Sequence, residues 1–480
     1  MVNNPKQEEV IKSIKGIYVV DAGAGTGKTY TITKRYLEIL KQPNITPNDI
    51  LLLTFTKNAA SNMKEKVMNK LLKTNPEMNM MDVNISTFHS FCKEILNQDC
   101  KNTPSYLNID YQLNSNYYLS ENKVLEKAFF KNIYNSFKKN HIEYTEEYKI
   151  INNRFFEILS LIRKLLSKGI FPKKKGWFLN GDEVIKGKFE EYMTIATELN
   201  TSKEGTKGLK QSFLLSKFKN KIRNKLFYGF SSDFELDKQI KPELLISAFN
   251  ENRDKWIDFI HDIYFNYIEA SIKENRLTFD FLIMFTFLEL YYNKKTRENN
   301  SFEYLMIDEF QDTNEMQFML SLLLMKTNNL CVVGDWKQGI YSFRNATIEN
   351  IIEFQKKIGI YKKILNQDEI RVNFDVISEK KEFDINFRSS QKILDFSTNS
   401  LLIKGAKDEE IDTDFIKSKI VELKANFDFD NNSNIEFYQM DKKENEIKFI
   451  LSKIQGLVKN KTIIKEYKSD NTFIERLIEF

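Results

Sequence analysis

At 480 residues the chain is long enough for two or three domains with separate cores, and 72 Lys+Arg against 67 Asp+Glu leave a formal charge of +5. That excess permits a basic groove without demanding one, so charge alone assigns no nucleic-acid partner. Cys92, Cys100 and Cys331 lack the paired spacing of a zinc or iron–sulfur site. MVNNPKQEEVIKS has no signal-peptide core and no apolar run spans a bilayer, so the expectation is a cytoplasmic protein with no membrane partner.

In chain order, IYVVDA (17–22) predicts a core strand, Lys28 to Leu40 a helix, ILLLTFT (50–56) a second strand and Asn58 to Leu72 another helix. This alternation predicts a parallel sheet with helices on its faces. From about Asn102 to Asn275 the periodicity is helical and basic clusters recur: Lys138-Lys139, FPKKKGW at 171–177 and KFKNKIRNK at 217–225. These clusters either approach a duplex or form a solvated helical face. FLIMFTFLEL (281–290) reads as a buried helix, and FEYLMIDE (302–309) and NLCVVGD (329–335) as strands that each end in an acid. The helical block therefore interrupts a sheet that resumes after it. From Glu382 a strand runs into a helix. IEFYQM (435–440) reads as a strand, KENEIKFILSKIQGL as a helix, TIIKEY (462–467) as a strand and NTFIERLIEF as a helix start. The 39 Phe and 21 Tyr are read as compositional bias filling cores and surfaces before any special aromatic function.

The chemistry starts at AGAGTGKT, the candidate nucleotide loop of Ala22, Gly23, Ala24, Gly25, Thr26, Gly27, Lys28 and Thr29. The strict pattern G-x-x-x-x-G-K-[ST] has a glycine where Ala22 stands, and Gly27, Lys28 and Thr29 match it. Backbone N–H groups around Gly25 to Lys28 suit a β-phosphate, the Lys28 ammonium the β- and γ-oxygens, and the Thr29 hydroxyl a magnesium ion. A chance glycine-rich turn is the competing reading, and its place between a strand and a helix weighs against it. In LMIDE, Asp308 is a candidate for the Mg²⁺ shell and Glu309 for orienting and deprotonating water. Gln338 is a candidate γ-phosphate or water contact, and Arg388 a charge-neutralising arginine reached across a domain cleft.

Together these segments resemble the UvrD/Rep-type superfamily 1 DNA helicases, with a third motif similar to that of helicase-nuclease recombination subunits. VNNPKQEEVI resembles the adenine-reading segment, which implies that Gln7 recognises the base, and AGAGTGKT resembles the first motif, where alanine at position 22 is tolerated. TFTKNAASNM (54–63) and STFHSF (86–91) are similar to motifs that line single-stranded DNA, implying contacts from Thr54, Phe55, Thr87 and His89. LTFDFL (277–282) resembles the segment that precedes the acidic motif. IDEFQDTNEMQ (307–317) resembles the acidic motif itself, and Gln311 and Asp312 are implied to link nucleotide state to strand binding. In VGDWKQGIYSFRNA the resemblance implies Gln338 as γ-phosphate sensor, with Tyr341, Phe343 and Arg344 on the DNA; in NFRSS it implies Phe387 on adenine and Arg388 at the γ-phosphate. An aromatic platform grips any base, so such contacts suit sequence-tolerant binding.

The expected fold is α/β, a P-loop NTPase (RecA-like) parallel sheet with a helical inserted domain and the beginning of a second RecA-like domain. The expected division is 1–100 and 271–381 for the first domain, 101–270 for the insertion and 382–480 for the partial second domain. The resemblance implies ATP and Mg²⁺, partners in single-stranded DNA and DNA junctions, and 3′ to 5′ translocation. TIIKEYKSDNTFIERLIEF resembles the segment just before a second insertion, and the later motifs, including a second arginine, are not in this sequence. Three explanations stand: a fragment of a larger protein, a split gene whose second product completes the motor, and a short protein with another use for nucleotide; a protein supplying the later motor motifs or a nuclease subunit is the expected protein partner. The alternative function is a non-motor ATP-switch adaptor or DNA-binding subunit of a recombination, repair or phage-defence complex.

Overall fold

Short continuous apolar runs, covered on both faces, build the central strands of the sheet. The computed structural model describes residues 4–74, 82–120, 122–145, 147–148, 155–179, 181, 242–338, 349–401, 420–426, 436, 438–460, 463–467 and 473–477. Its first strands are β1 (Ile17–Ala22), β2 (Ile50–Thr54), β3 (Ile85–Thr87), β4 (Tyr118–Ser120) and β5 (Arg276–Thr278). After the inserted block come β6 (Tyr304–Ile307), β7 (Leu330–Gly334) and β8 (Ser378–Phe383). Six of these form one sheet in the order β3-β2-β6-β7-β1-β8, with every neighbouring pair parallel. Parallel neighbours need crossover connections, here helical, which cover both faces. In β1, Ile17 and Val19 face one core while Tyr18, Val20 and Ala22 face the other. Leu51 and Leu53 against Ile50 and Leu52 divide in the same way on β2. Helices Lys28–Ile39 and Lys57–Thr74 pack on the second face through Ile32, Tyr36, Met63 and Val67.

The other face carries helices Phe88–Gln98, Phe279–Tyr292 and Glu315–Leu323. Residues 281–291 of the Phe279–Tyr292 helix are all buried, which is what an all-round apolar sequence requires. Among the described residues no helix is long and apolar enough to cross a membrane. The core on this face continues into the inserted block, where helices Lys123–Asn140, Phe155–Ser167 and Pro242–Lys273 meet. Its interior is aromatic: Phe130 packs edge-on against Tyr267, and Phe137, Tyr144 and Tyr148 surround Phe259. These rings are core material. The strand β4, which pairs with β5 just beyond the block, lies where only helical periodicity was expected.

Three expectations change. The strand β8 crosses position 382, where the third segment was expected to begin, and pairs with β1 over Glu382 and Phe383. Its inward residue Phe383 packs in the same core as Tyr18, Val20 and Ala22. Within the expected helix start at 471–480, residues 473–477 instead form an antiparallel strand. After β9 (Ile385–Asn386) and β10 (Lys424–Ala425), β11 (Ile463–Tyr467) pairs with β12 (Phe473–Leu477). Phe473, Ile474 and Leu477 fit helical spacing, but a run this short does not fix the period and the hairpin pairing decides. Within IEFYQM, residues 438–440 have no regular structure and residues 435 and 437 lie outside the described residues.

Candidate functional site

Because the six strands are parallel, the residues following β1, β2, β3, β6, β7 and β8 emerge on one edge, the usual place for ligands in open α/β sheets. The loop after β1 turns on two glycines in the left-handed region, Gly25 at φ 76° and Gly27 at φ 86°. Gly27 starts the Lys28–Ile39 helix, and a Cβ there would come 2.5 Å from Gln7 Nε2. Both conformation and space therefore demand glycine. Inside the loop the Thr26 hydroxyl donates to the Gly23 carbonyl at 2.7 Å, and Ala22 is wholly buried. Thr29, half-buried, follows Lys28 in the helix's first turn.

Gln7 reaches this loop from helix Pro5–Lys12, whose N-terminus is capped by Asn4. Gln7 Nε2 donates to the Thr26 carbonyl at 2.7 Å. The helix is held by Arg35, a buried guanidinium that donates to the carbonyls of Ser13 at 2.7 Å and Ile14 at 3.0 Å, with the Tyr18 ring 5.0 Å away. Arg35 thus satisfies backbone acceptors left open at the helix end.

Opposite the loop, Asp308 and Glu309 follow β6. Lys28 Nζ lies 3.0 Å from Glu309 Oε2, and Gln311 Nε2 donates to the same oxygen at 2.7 Å. Gln311 Oε1 accepts the Asp335 N–H at 2.9 Å, and Asp335 Oδ2 accepts from Gln338 Nε2 at 2.7 Å. A continuous chain of polar contacts therefore runs from the loop lysine across the ends of β6 and β7 to Gln338. Lys337 pairs with Asp335 at 2.8 Å and lies 3.9 Å from Asp21. Burial raises the Asp21 pKa, while Lys337 and Lys380 oppose it. Glu309 sits at φ 52°, ψ 43°, an uncommon conformation for a non-glycine residue and the kind of local strain that gathers at functional sites.

Asp308 is 3% exposed and its Oδ1 has no hydrogen-bond partner. Burial pushes its carboxyl up to about 7; the neighbouring Glu309 adds to the rise and Lys28 opposes it. A buried carboxylate oxygen with no donor is suited to a cation.

On the far side of the loop, Phe387 is half-buried and Arg388 exposed, and a Cβ on Gly25 would lie 2.6 Å from Arg388 Cβ. On β2 and β3 the candidate nucleic-acid contacts divide. Thr54 is 0% exposed, and the buried Thr87 hydroxyl caps helix Phe88–Gln98, accepting from Ser90 N–H at 3.2 Å. Phe55 is half-buried, and the half-buried His89 ring lies 4.5 Å from that of Phe279. Tyr341, Phe343 and Arg344 lie outside the described residues, as does the basic cluster at 217–225. Lys174 pairs with Asp110 at 3.1 Å, and Lys173 sits over the Phe178 ring at 5.4 Å.

Sequence reasoning did not single out Asn386, Asp335, Asp21 or Lys337. Asn386 carried one usable signal, an Asn that opens a turn two residues before an arginine, because Asx side chains bond the backbone ahead of them.

The parallel sheet, the glycine loop entering a helix, and the acid pair on the facing strand define a P-loop NTPase with a RecA-like fold and helical insertions. The chain belongs to the UvrD/REP helicase family: the family described as UvrD/REP helicase N-terminal domain matches residues 3–359. It is 27% identical over 464 residues to a probable DNA helicase II homolog of Mycoplasma capricolum, covering 96% of this chain and 47% of that protein. It is 28% identical over 363 residues to the ATP-dependent DNA helicase PcrA of Staphylococcus aureus, covering 74% of this chain and 36% of that one. With PcrA of Bacillus subtilis it shares 29% over 364 residues, 74% of this chain and 35% of that one. The chain spans between a third and a half of the length of these curated relatives.

Proposed function

We propose that the chain is the nucleotide-binding portion of a DNA helicase or translocase that couples ATP hydrolysis to movement along single-stranded DNA. The observation that carries this reading is the contact chain Lys28–Glu309–Gln311–Asp335–Gln338 beside Asp308. ATP would lie on the loop Ala22–Thr29, with Gln7 and Phe387 toward the base. Asp308 and Thr29 would hold Mg²⁺, which when bound supplies positive charge to the phosphate oxygens and keeps Asp308 ionised. Lys28 Nζ, now on Glu309, exchanges that carboxylate for phosphate oxygens. Glu309, released from Lys28 and still aligned by Gln311, takes a proton from water at Oε2. Gln338 and Arg388 are the candidate sensors of the γ-phosphate. Because Gln311 bonds both Glu309 and the backbone of Asp335, a shift at Glu309 changes the segment leading to Gln338 and onward to the DNA candidates.

We assign single-strand contact to Phe55 and His89, with Thr54 and Thr87 shaping the strand ends beneath them; Tyr341, Phe343 and Arg344 complete the proposed path. The proposed domains are 1–100 with 271–383, an inserted helical domain over 101–270, and part of a second domain from 384. Direction, 3′ to 5′, and action at DNA junctions rest on the family resemblance, and tailed duplexes of either polarity test both. So does the need for further motor motifs, in the same chain or from a partner.

The test is ATP hydrolysis by the 480-residue chain with and without single-stranded DNA, beside Lys28→Ala and Glu309→Gln. Stimulated turnover lost in both variants supports a coupled motor site. ATP binding lost in Lys28→Ala, with turnover indifferent to DNA, favours the ATP-switch adaptor.

A further inference from the structure

The segment following β8 does more than deliver Arg388. Asn386 is 1% exposed and its side chain works in two directions. Oδ1 accepts the N–H groups of Arg388 at 2.8 Å and Ser389 at 2.7 Å, fixing the turn that carries the arginine. Nδ2 donates to the carbonyl of Ala24 at 2.5 Å, inside the nucleotide loop. One residue on, the Phe387 N–H donates to the Gly25 carbonyl at 2.8 Å.

These two ties decide which way the loop peptides face. In a trans peptide the N–H points opposite its carbonyl. With the Ala24 and Gly25 carbonyls turned toward 386–387, the N–H of Gly25 faces the other side and that of Thr26 turns into the loop, where it lies 3.3 Å from the Gly23 carbonyl. A loop that binds anions through its N–H groups needs its carbonyls engaged on the outside, and Asn386 and the Phe387 backbone are those outside partners.

We propose that Asn386 is a positioning residue that sets the peptide orientation of the nucleotide loop and the placement of Arg388 with one side chain, so that the two are coupled. This rests on the reading of Ala22–Thr29 as the nucleotide loop. The amide is required in both halves: the oxygen for the arginine turn and the nitrogen for the loop.

Two variants separate the halves. Asn386→Asp keeps the acceptor for Arg388 and Ser389 and loses the donor to Ala24. Asn386→Leu, similar in volume and uncharged, loses both. Affinity for a fluorescent ATP analogue with Mg²⁺ is measured on the full chain, together with backbone amide exchange by peptide mass spectrometry. Both variants are expected to bind nucleotide about tenfold more weakly, since the part-buried Ala24 carbonyl loses its donor. Exchange over residues 22–29 rises in both, exchange over 387–390 rises only in Asn386→Leu, and the strands of the sheet stay as protected as in the parent. A merely structural role would raise exchange throughout the sheet, and that pattern overturns the proposal. So does an Asn386→Leu affinity within twofold of the parent with exchange over 22–29 unchanged. Weakening in Asn386→Asp alone assigns the effect to charge repulsion and also overturns it. If the parent binds no nucleotide and Lys28→Ala behaves identically, the nucleotide reading fails by itself, and exchange over 22–29 still decides whether Asn386 holds the loop.

Discussion

Replacing Asp308 by asparagine should make the protein more stable above neutral pH and remove a pH dependence from its unfolding. The Asp308 carboxyl is buried, has an oxygen without a partner, and is pushed up to about 7. In the unfolded chain it returns to roughly 3.9. A group whose pKa is raised by folding contributes stability that is present below the unfolded value and disappears as pH rises through the folded value. Between pH 5 and 8 the parent therefore loses about 2–3 kcal/mol from this carboxyl, two of the roughly three units at about 1.4 kcal/mol each. The Asp308→Asn variant, with an amide that does not titrate, loses nothing there. Urea unfolding in chelator at pH 5 and pH 8 gives the comparison, and the stability difference, variant minus parent, should grow by that amount with unchanged slope in urea. Millimolar Mg²⁺ at pH 8 should restore part of the parent's loss and leave the variant alone. A difference that stays constant within about 0.5 kcal/mol across the range would refute the argument that burial dominates this carboxyl.

Gln311→Leu removes a bond to the Glu309 carboxylate and strands the buried Asp335 N–H, which should cost about 3 kcal/mol in urea unfolding. Gly25→Ala places a methyl 2.6 Å from Arg388 Cβ at φ 76°, so the loop and the 386–388 segment must part. A loss of about 1–3 kcal/mol in thermal unfolding is expected, with weaker ATP-analogue binding. Arg35→Leu leaves the Ser13 and Ile14 carbonyls unpaired at the end of the helix that carries Gln7. It should cost about 3–5 kcal/mol by urea denaturation, without a change in the identity of the bound nucleotide.

Much of the site was legible because its chemistry is contiguous. A glycine turn between a β-branched run and a helix declares a phosphate loop within a few residues, and the acid pair after LMI declares its counterpart. Buried strands were legible as continuous apolar runs, since β1 and β2 are covered on both faces. The short segments were not: FIERL fits two periods, and only pairing with Ile463–Tyr467 chose the strand. Thr54 and Thr87 show a related limit. A motif names the residues near a strand end, but burial and capping decide which side chains face outward.

By itself the sequence determined that there is a nucleotide loop, an acid pair and a sheet interrupted by helices, because propensity, hydrophobic alternation and turn chemistry act over neighbouring residues. Tertiary structure alone decided that β6 and β7, arriving after the whole inserted block, lie between β2 and β1. That order brings Glu309 to Lys28 and Gln311 to Asp335, and it lets β8 pair beyond β1 so that Asn386 meets Ala24. Those contacts depend on which strands pair, and strand order is set by how two cores close on opposite faces of one sheet, a condition that no local stretch of sequence contains.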